Sequence, residues 1–118
     1  MNHSRAHTHL RRVAIAGWMA TAWLAATTAA ASAEPVQIDI QKFAFAPQEI
    51  TIAPGTTVRW INDDETPHTV AADDAGFVSP GLDTGDHYER TFDKEGDITY
   101  FCSVHPFMKG VVHVRKAQ

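Results

Sequence analysis

The sequence predicts an all-β domain in residues 34–118, with short strands arranged as a sandwich or barrel. Apolar residues recur at every second position over short runs, which is the spacing of strands that bury one face. Glycine, proline and aspartate separate these runs, and no stretch after residue 33 keeps helical spacing long enough to predict a helix. A segment of this length accommodates one domain with one modest core.

The strands of the first half follow from this alternation. Ile38 and Ile40 alternate with polar residues, and Phe43 and Phe45 continue the pattern until Pro47 interrupts it. Each such run is expected to turn one face toward the core. The other predicted strands of this half cover residues 50–52, 57–61 and 68–72, with a Pro-Gly turn at 54–55.

The second half contains three further predicted strands and one long loop. Residues 77–86 are predicted to be the loop, because they include Pro80, Gly81 and Gly85. The predicted strands cover residues 88–92, 98–102 and 111–114, and residues 93–96 form a turn between the first two.

Residues 1–33 have the pattern of a signal peptide. Three arginines make its start positive, residues 13–31 carry no charge, and Ala31-Ser32-Ala33 is a small-residue cleavage site. A retained transmembrane anchor is the alternative, because the uncharged segment is nearly long enough to span a bilayer. Its richness in alanine and threonine, with a cleavage site at its end, favours removal. We therefore predict export to the periplasm.

The charge of the mature protein argues against a nucleic-acid partner. All 14 aspartates and glutamates lie beyond the leader, together with 7 of the 10 lysines and arginines, so the net charge there is −7. A nucleic-acid-binding domain normally shows the opposite sign and a basic stripe. An acidic surface instead favours solubility and a basic partner protein.

Cys102, His105 and Met108 bring three soft candidate ligands onto one short segment. Cys102 is the only cysteine of the chain. Since exported proteins usually pair their cysteines, an unpaired one must dimerise, stay free or bind something. Cys102 also shares a predicted strand face with large apolar residues, which indicates a buried sulfur. A bound metal would hold such a thiol as the thiolate, its strongest donor.

A second imidazole comes from His68, which follows Pro67 in a different strand. Two histidines, one cysteine and a weakly bound methionine are the ligand set of a blue-copper electron-transfer site. Each residue also has a plainer interpretation. Cys102 could be an inert buried thiol, His105 a turn histidine, His68 a strand histidine bonded to a carbonyl, and Met108 a core methionine. The spacing of the set favours the metal. The other histidines of the domain, His87 and His113, are left outside the site.

Two segments of the chain carry a more specific pattern. They are Val58-Arg59-Trp60-Ile61-Asn62 with Pro67-His68, and Tyr100-Phe101-Cys102-Ser103-Val104-His105-Pro106-Phe107-Met108. These segments resemble the cupredoxins, most closely the amicyanin branch of the plastocyanin-like family, in which Pro-Phe precedes the methionine of a tight Cys-x-x-His-x-x-Met loop. Ser103-Val104 departs from the Thr-Pro pair of typical amicyanins, and we expect this change to soften the loop and alter hydrogen bonding to the sulfur.

The resemblance implies a Greek-key β-sandwich that carries one type 1 copper ion near its end. It implies copper ligands at His68, Cys102, His105 and Met108. It also implies that Asn62 ties the first ligand loop to the cysteine loop by hydrogen bonds.

We therefore predict a periplasmic type 1 blue-copper protein that shuttles single electrons through the Cu(II)/Cu(I) couple. The alternative is a periplasmic copper carrier or chaperone without a redox role, which usually has an open site rich in methionine or histidine. Beyond the leader the chain has one methionine, Met108, and this favours the shuttle. An enzyme with a second, substrate-binding copper would need another cluster of histidines, so no catalytic residue is predicted.

The predicted partners are redox proteins that dock near His105, Pro106 and Phe107. Resemblance to amicyanins suggests a quinoprotein dehydrogenase as donor and a c-type cytochrome as acceptor. A basic partner would be steered by carboxylates, for which the candidates are Asp63, Asp64, Glu65, Asp73 and Asp74. An ordinary solvated surface explains these carboxylates equally well. We expect a monomer with no membrane span once the leader is removed.

Overall fold

The computed structural model describes residues 14, 16–17, 19, 22–26 and 33–118, and in them nine β-strands form two sheets. The strands are β1 (Val36–Gln41), β2 (Ala44–Ala46), β3 (Glu49–Ile52), β4 (Thr56–Asn62), β5 (Ala71–Ala72), β6 (Phe77–Val78), β7 (His87–Phe92), β8 (Gly96–Cys102) and β9 (His105–Val114). One sheet has the order β2-β1-β4-β7 and the other β3-β9-β8-β5-β6. The described residues contain no helix, which confirms the all-β prediction. Among them there is therefore no helix long and apolar enough to cross a membrane. The predicted signal peptide lies largely outside them.

The alternating apolar residues of the sequence form one core. Ile38 and Ile40 of β1, Val58 and Trp60 of β4, and Tyr100 of β8 are all 0% exposed. They belong to a single buried cluster with members from both sheets. Full burial of one aliphatic side chain of this size contributes roughly 1.5–3 kcal/mol to folding. The period-two pattern therefore identified the side chains that hold the two sheets together.

The chain reverses at Lys42 and Phe43, where the alternation predicted a continued strand. Both residues have positive φ angles, +54° and +55°, and β2 pairs back antiparallel onto β1 with Gln41 opposite Ala44. Two consecutive left-handed residues between paired strands make a two-residue hairpin turn, which usually selects asparagine or glycine. Periodicity did not reveal this turn, because the apolar alternation runs through it unbroken.

The segment that carries His68 is less regular than predicted. The expected strand over 68–72 is reduced to β5 and a single bridge, in which His68 and Leu82 exchange backbone hydrogen bonds of 3.1 and 2.8 Å. The expected loop at 77–86 contains the short strand β6, which pairs with β5. The bridge to Leu82 fixes the backbone of His68 without placing it in a long strand.

Strands β8 and β9 present the cysteine segment at one end of their sheet. β9 begins at His105, earlier than the predicted start at 111, and Cys102 pairs with His105 across a tight reversal. The register shifts between Phe101 and Cys102, and such irregularities re-aim side chains at functional sites. The reversal brings the cysteine and the histidine to the same end of the domain.

A charged cluster around His113 links three strands of the second sheet. Nδ1 of His113 lies 2.7 Å from Oδ1 of Asp97 on β8, and its Nε2 lies 3.6 Å from Oε1 of Glu49 on β3. The hydrogen bond with Asp97 is the main reason that the pKa of His113 is raised above 6.5. The same bond, followed by one from Arg115, lowers the pKa of Asp97 below 3.8.

This cluster is expected to make stability depend on pH. A histidine with a raised pKa stabilises the fold fully below its unfolded pKa of 6.5, and the gain is lost as pH rises through the folded value. The Asp97 contribution is present above 3.8 and is lost as pH falls through its lowered pKa. In urea unfolding of the metal-free protein, the free energy of unfolding of wild type should therefore exceed that of His113→Gln most between about pH 4 and 6.5. His87→Gln, at an exposed site on β7, is the control. A stability difference between wild type and His113→Gln that persists unchanged at higher pH would contradict the expectation.

Candidate metal centre

Three side chains from two separate parts of the chain converge on one point. Cys102 ends β8, His105 begins β9, and His68 comes from the segment between β4 and β5. The Nδ1 atoms of His68 and His105 are 3.2 Å apart, and each lies 3.7 Å from Sγ of Cys102. Three of the four ligands expected from the sequence are thus brought together.

Met108, the fourth expected ligand, is buried close by in the chain. It lies on β9 beyond His105, is 2% exposed, and belongs to the same buried cluster as Cys102. His87 is exposed on β7, and His113 is bonded to Asp97, so neither joins the group of donor atoms. The composition of the site is that of a type 1 copper centre.

The donor triangle fits a transition-metal ion. With edges of 3.7, 3.7 and 3.2 Å, its centre lies about 2 Å from each donor atom, which is the length of a bond from such a metal to an imidazole nitrogen. His68 and Cys102 are fully buried. Their donor atoms therefore face one another rather than water, an arrangement that favours a cation between them.

Asp64 decides which nitrogen of His68 faces the other donors. Its Oδ2 lies 2.8 Å from Nε2 of His68, so that an Nε2–H group donates to the carboxylate and Nδ1 keeps its lone pair. Burial disfavours the charged form of Asp64, but hydrogen bonds from the Phe43 backbone, the His68 side chain and the Lys42 backbone outweigh it and lower the pKa. The imidazole is therefore held in the tautomer that binds a metal through Nδ1.

Thr69 connects the His68 segment to the cysteine. Its backbone N–H donates to Sγ of Cys102 at 3.4 Å, and its hydroxyl lies 3.8 Å from the same sulfur. Ser103 donates its backbone N–H to Oγ1 of Thr69 at 2.8 Å, and the two hydroxyl oxygens are 2.6 Å apart. With the Ser103 hydroxyl as donor, the Thr69 hydroxyl proton is free for the sulfur. Thr69 therefore fixes the position of the sulfur with a backbone and a side-chain donor.

Asn62 was expected to make this connection, but it joins a different pair of segments. Its Nδ2 donates to the carbonyls of Thr66 and Leu82 at 2.9 and 2.8 Å, and its Oδ1 accepts the backbone N–H of Asp64 at 3.0 Å. Asn62 thus shapes the loop that leads into His68. Sequence reasoning missed Thr69 in this role, although its position directly after a candidate ligand was a usable signal.

The part of the site nearest the surface is apolar. His105 is partly exposed, whereas His68 is fully buried. Around His105, Val104 and Phe107 are 58% and 71% exposed, and Pro106 is exposed as well. Apolar side chains grouped at the surface are typical of an interaction surface. We call His105, Pro106 and Phe107 the docking surface.

Sequence comparison finds a family match and similar proteins. The family described as cupredoxin-like domain matches residues 13–114. Amicyanin of Paracoccus versutus is 38% identical over 88 residues, which are 70% of this chain and 66% of that protein. Amicyanin-alpha of Methylorubrum extorquens is 34% identical over 110 residues, which are 86% of this chain and 92% of that protein. The match thus covers slightly less than two thirds of the first relative and most of the second.

A solved structure with the same fold comes from a larger protein. The Cu-containing nitrite reductase of Thermus scotoductus superposes with a TM-score of 0.70 at 31% identity. The superposition covers 80% of this chain but 25% of the reductase chain. The likeness therefore concerns one domain and does not carry over the activity of the reductase.

Proposed function

This chain belongs to the cupredoxin-like family, and on that basis we propose that it is a type 1 blue-copper protein that carries single electrons between redox proteins. The observation that supports this most directly is the buried triangle of two Nδ1 atoms and one Sγ. Its donor set suits copper, and its size leaves room for one ion bonded to all three atoms.

Copper would be held by His68, Cys102 and His105, with Met108 as a weaker fourth ligand. When bound, copper supplies a one-electron couple between Cu(II) and Cu(I). Asp64 holds the His68 ring through Nε2, and Thr69 holds Sγ through its N–H. Because these groups are fixed by hydrogen bonds, they need to move little when the charge of the site changes, and small rearrangement keeps the barrier to electron transfer low.

The burial of the site favours a shuttle over a copper carrier. His68 and Cys102 are 0% exposed, and Met108 is 2% exposed. A carrier that delivers its metal needs ligands that the recipient can reach, whereas these three are buried, and Cys102 and Met108 belong to the core cluster. The partly exposed His105 gives electrons a short path to the surface without opening the site.

The docking surface is the proposed contact for redox partners, with transfer through the edge of His105. Likeness to amicyanins suggests a quinoprotein dehydrogenase as donor and a c-type cytochrome as acceptor. Asp63 and Glu65 are exposed beside the His68 loop and are suited to steer a basic partner. Asp64 is not, because its carboxylate is occupied by His68 and the hairpin turn. Export to the periplasm, with removal of residues 1–33, is part of the same proposal.

Titration of the purified, metal-free protein with Cu(II) tests this function. One equivalent is expected to produce an intense visible thiolate-to-copper band that ascorbate bleaches and a mild oxidant restores. The reduced protein should then pass its electron to a c-type cytochrome, at a rate that falls as salt screens the steering carboxylates. A colourless complex that loses copper rapidly to a chelator would support the carrier instead.

A further inference from the structure

Phe43 occupies a backbone conformation that disfavours its side chain. Its φ is +55°, and that of Lys42 is +54°. Left-handed conformations are rare for bulky residues, and at functional sites such outliers often serve a purpose. Asparagine or glycine would satisfy this hairpin turn without the penalty. A phenylalanine therefore makes this turn less stable than asparagine or glycine would, which suggests that its ring has a role of its own.

The turn is held by the carboxylate that also orients His68. The backbone N–H of Lys42 donates to Oδ1 of Asp64 at 2.6 Å, and that of Phe43 donates to Oδ2 at 3.0 Å. The same Oδ2 lies 2.8 Å from Nε2 of His68. One carboxylate therefore fixes both the hairpin turn and the imidazole, although these lie in different parts of the chain.

The ring of Phe43 lies against both imidazoles of the site. Its centroid is 5.3 Å from that of His68 and 5.1 Å from that of His105, with interplanar angles of 88° in each case. These are edge-to-face contacts of the favourable type. Phe43 is 41% exposed, so its outer side meets solvent and its inner side meets the two histidines.

We propose that Phe43 is a lid over the donor triangle, anchored by Asp64, that restricts the access of small molecules to Cys102 and slows the loss of bound metal. It is a positioning residue, since it restrains the two imidazoles rather than binding metal itself. The statement about metal loss rests on the proposed copper site. The statement about access concerns the metal-free protein and does not.

Phe107 provides a matched control. It is also an exposed phenylalanine beside the site, 71% exposed, with its ring centroid 6.2 Å from that of His105. Within residues 33–118 the Phe107 ring contacts the His105 ring but not that of His68, whereas the Phe43 ring contacts both histidines. Removal of Phe107 therefore takes a comparable apolar ring from the surface and leaves the lid in place.

The access experiment uses the purified metal-free protein, in which Cys102 is the only thiol. The rate of its reaction with dithiodipyridine is measured in wild type, Phe43→Gly, Phe43→Tyr and Phe107→Ala. Phe43→Gly is expected to react about tenfold faster, the factor that corresponds to the loss of two edge-to-face aromatic contacts. Phe43→Tyr and Phe107→Ala should stay close to wild type. Rates that are equal in wild type and Phe43→Gly, or equally fast in Phe107→Ala, would overturn the lid.

Thermal unfolding separates access from general destabilisation. Glycine suits a φ of +55°, but the variant also loses two aromatic contacts; because these effects oppose each other, the melting temperature of Phe43→Gly should stay close to that of wild type. If it falls instead, and the reaction rate rises in proportion, the faster reaction reflects unfolding and the lid is refuted.

Copper release to a chelator, followed by loss of the visible band, tests the second part of the proposal. Release from Phe43→Gly is expected to be faster than from wild type by a similar factor, with Phe107→Ala unchanged. Equal release from wild type and Phe43→Gly would overturn this part. If the wild type shows no visible band with copper, the proposed function fails, while the thiol experiment still decides whether the lid exists.

Discussion

Replacement of Cys102 with serine is expected to abolish the intense visible band of the copper-loaded protein. The band requires a thiolate on copper, and a serine hydroxyl at this fully buried position is neither charged at neutral pH nor a soft donor. We expect the copper affinity to fall by more than roughly 100-fold, since changes merely next to a ligand already cost 10- to 100-fold. Oxygen for sulfur is a small change in volume, so the fold should persist.

Visible absorption and competition with a chelator measure these two effects on Cys102→Ser. Ser103→Ala is the control, because it removes a hydroxyl that contacts Thr69 and leaves Sγ untouched. This control should keep the band, with at most a shift in its position. An intense band that survives in Cys102→Ser would show that the metal lies elsewhere.

The second large effect is expected from Gly110→Ala, a change in the core behind the site. A Cβ at Gly110 would lie closer than 3.0 Å to three side-chain atoms of Tyr100, two ring carbons and the hydroxyl oxygen. That ring cannot retreat, because Tyr100 is 0% exposed and packs against Phe45 and Trp60 at centroid distances of 4.7 and 5.3 Å. Overpacking of this kind costs about 1–3 kcal/mol and occasionally more. We expect a loss in the upper part of that range.

Urea unfolding of the metal-free protein measures this loss. Gly81→Ala is the matched control, since a Cβ there meets no atom within 4 Å and the substitution should change stability by less than about 0.5 kcal/mol. Gly110→Ala as stable as this control would mean that β8 and β9 separate easily at their pairing of Tyr100 with Gly110. Displacement of Tyr100 by the added Cβ should also shift Cys102 slightly, because Cys102 lies two positions further along β8.

Much of the fold was accessible from the sequence because strand burial is a local pattern. Ile38, Ile40, Val58 and Trp60 were identified by alternation alone, and all are fully buried. The turn at Phe43 was missed, because alternation reports which side a residue faces and not whether the chain has reversed. The true length of β9 was missed as well, since Pro106 and the exposed Phe107 obscured its start.

For the site, the residue types in the sequence predicted the ligands but not the neighbouring residues that orient them. A lone cysteine, two histidines and a methionine predicted a copper-like set, and the structure brings Nδ1, Nδ1 and Sγ of that set together. The neighbours that control these atoms were not predicted. Asp64 was interpreted as a surface charge and Asn62 as a link to the cysteine, whereas Asp64 binds His68 and Thr69 contacts the sulfur.

By itself, then, the sequence determined the all-β class, the residues of the core and the chemical nature of the metal ligands. Each of these depends on side-chain type and on spacing within a few residues. The tertiary structure decided which nitrogen of His68 faces the other donor atoms, which hydrogen bonds reach the sulfur, and that the Phe43 ring contacts both imidazoles. Asp64 lies four positions from His68, but its carboxylate is also bonded to Phe43, 21 positions away, and Thr69 lies 33 positions from Cys102. Only the pairing of the strands brings such distant residues within reach of one another.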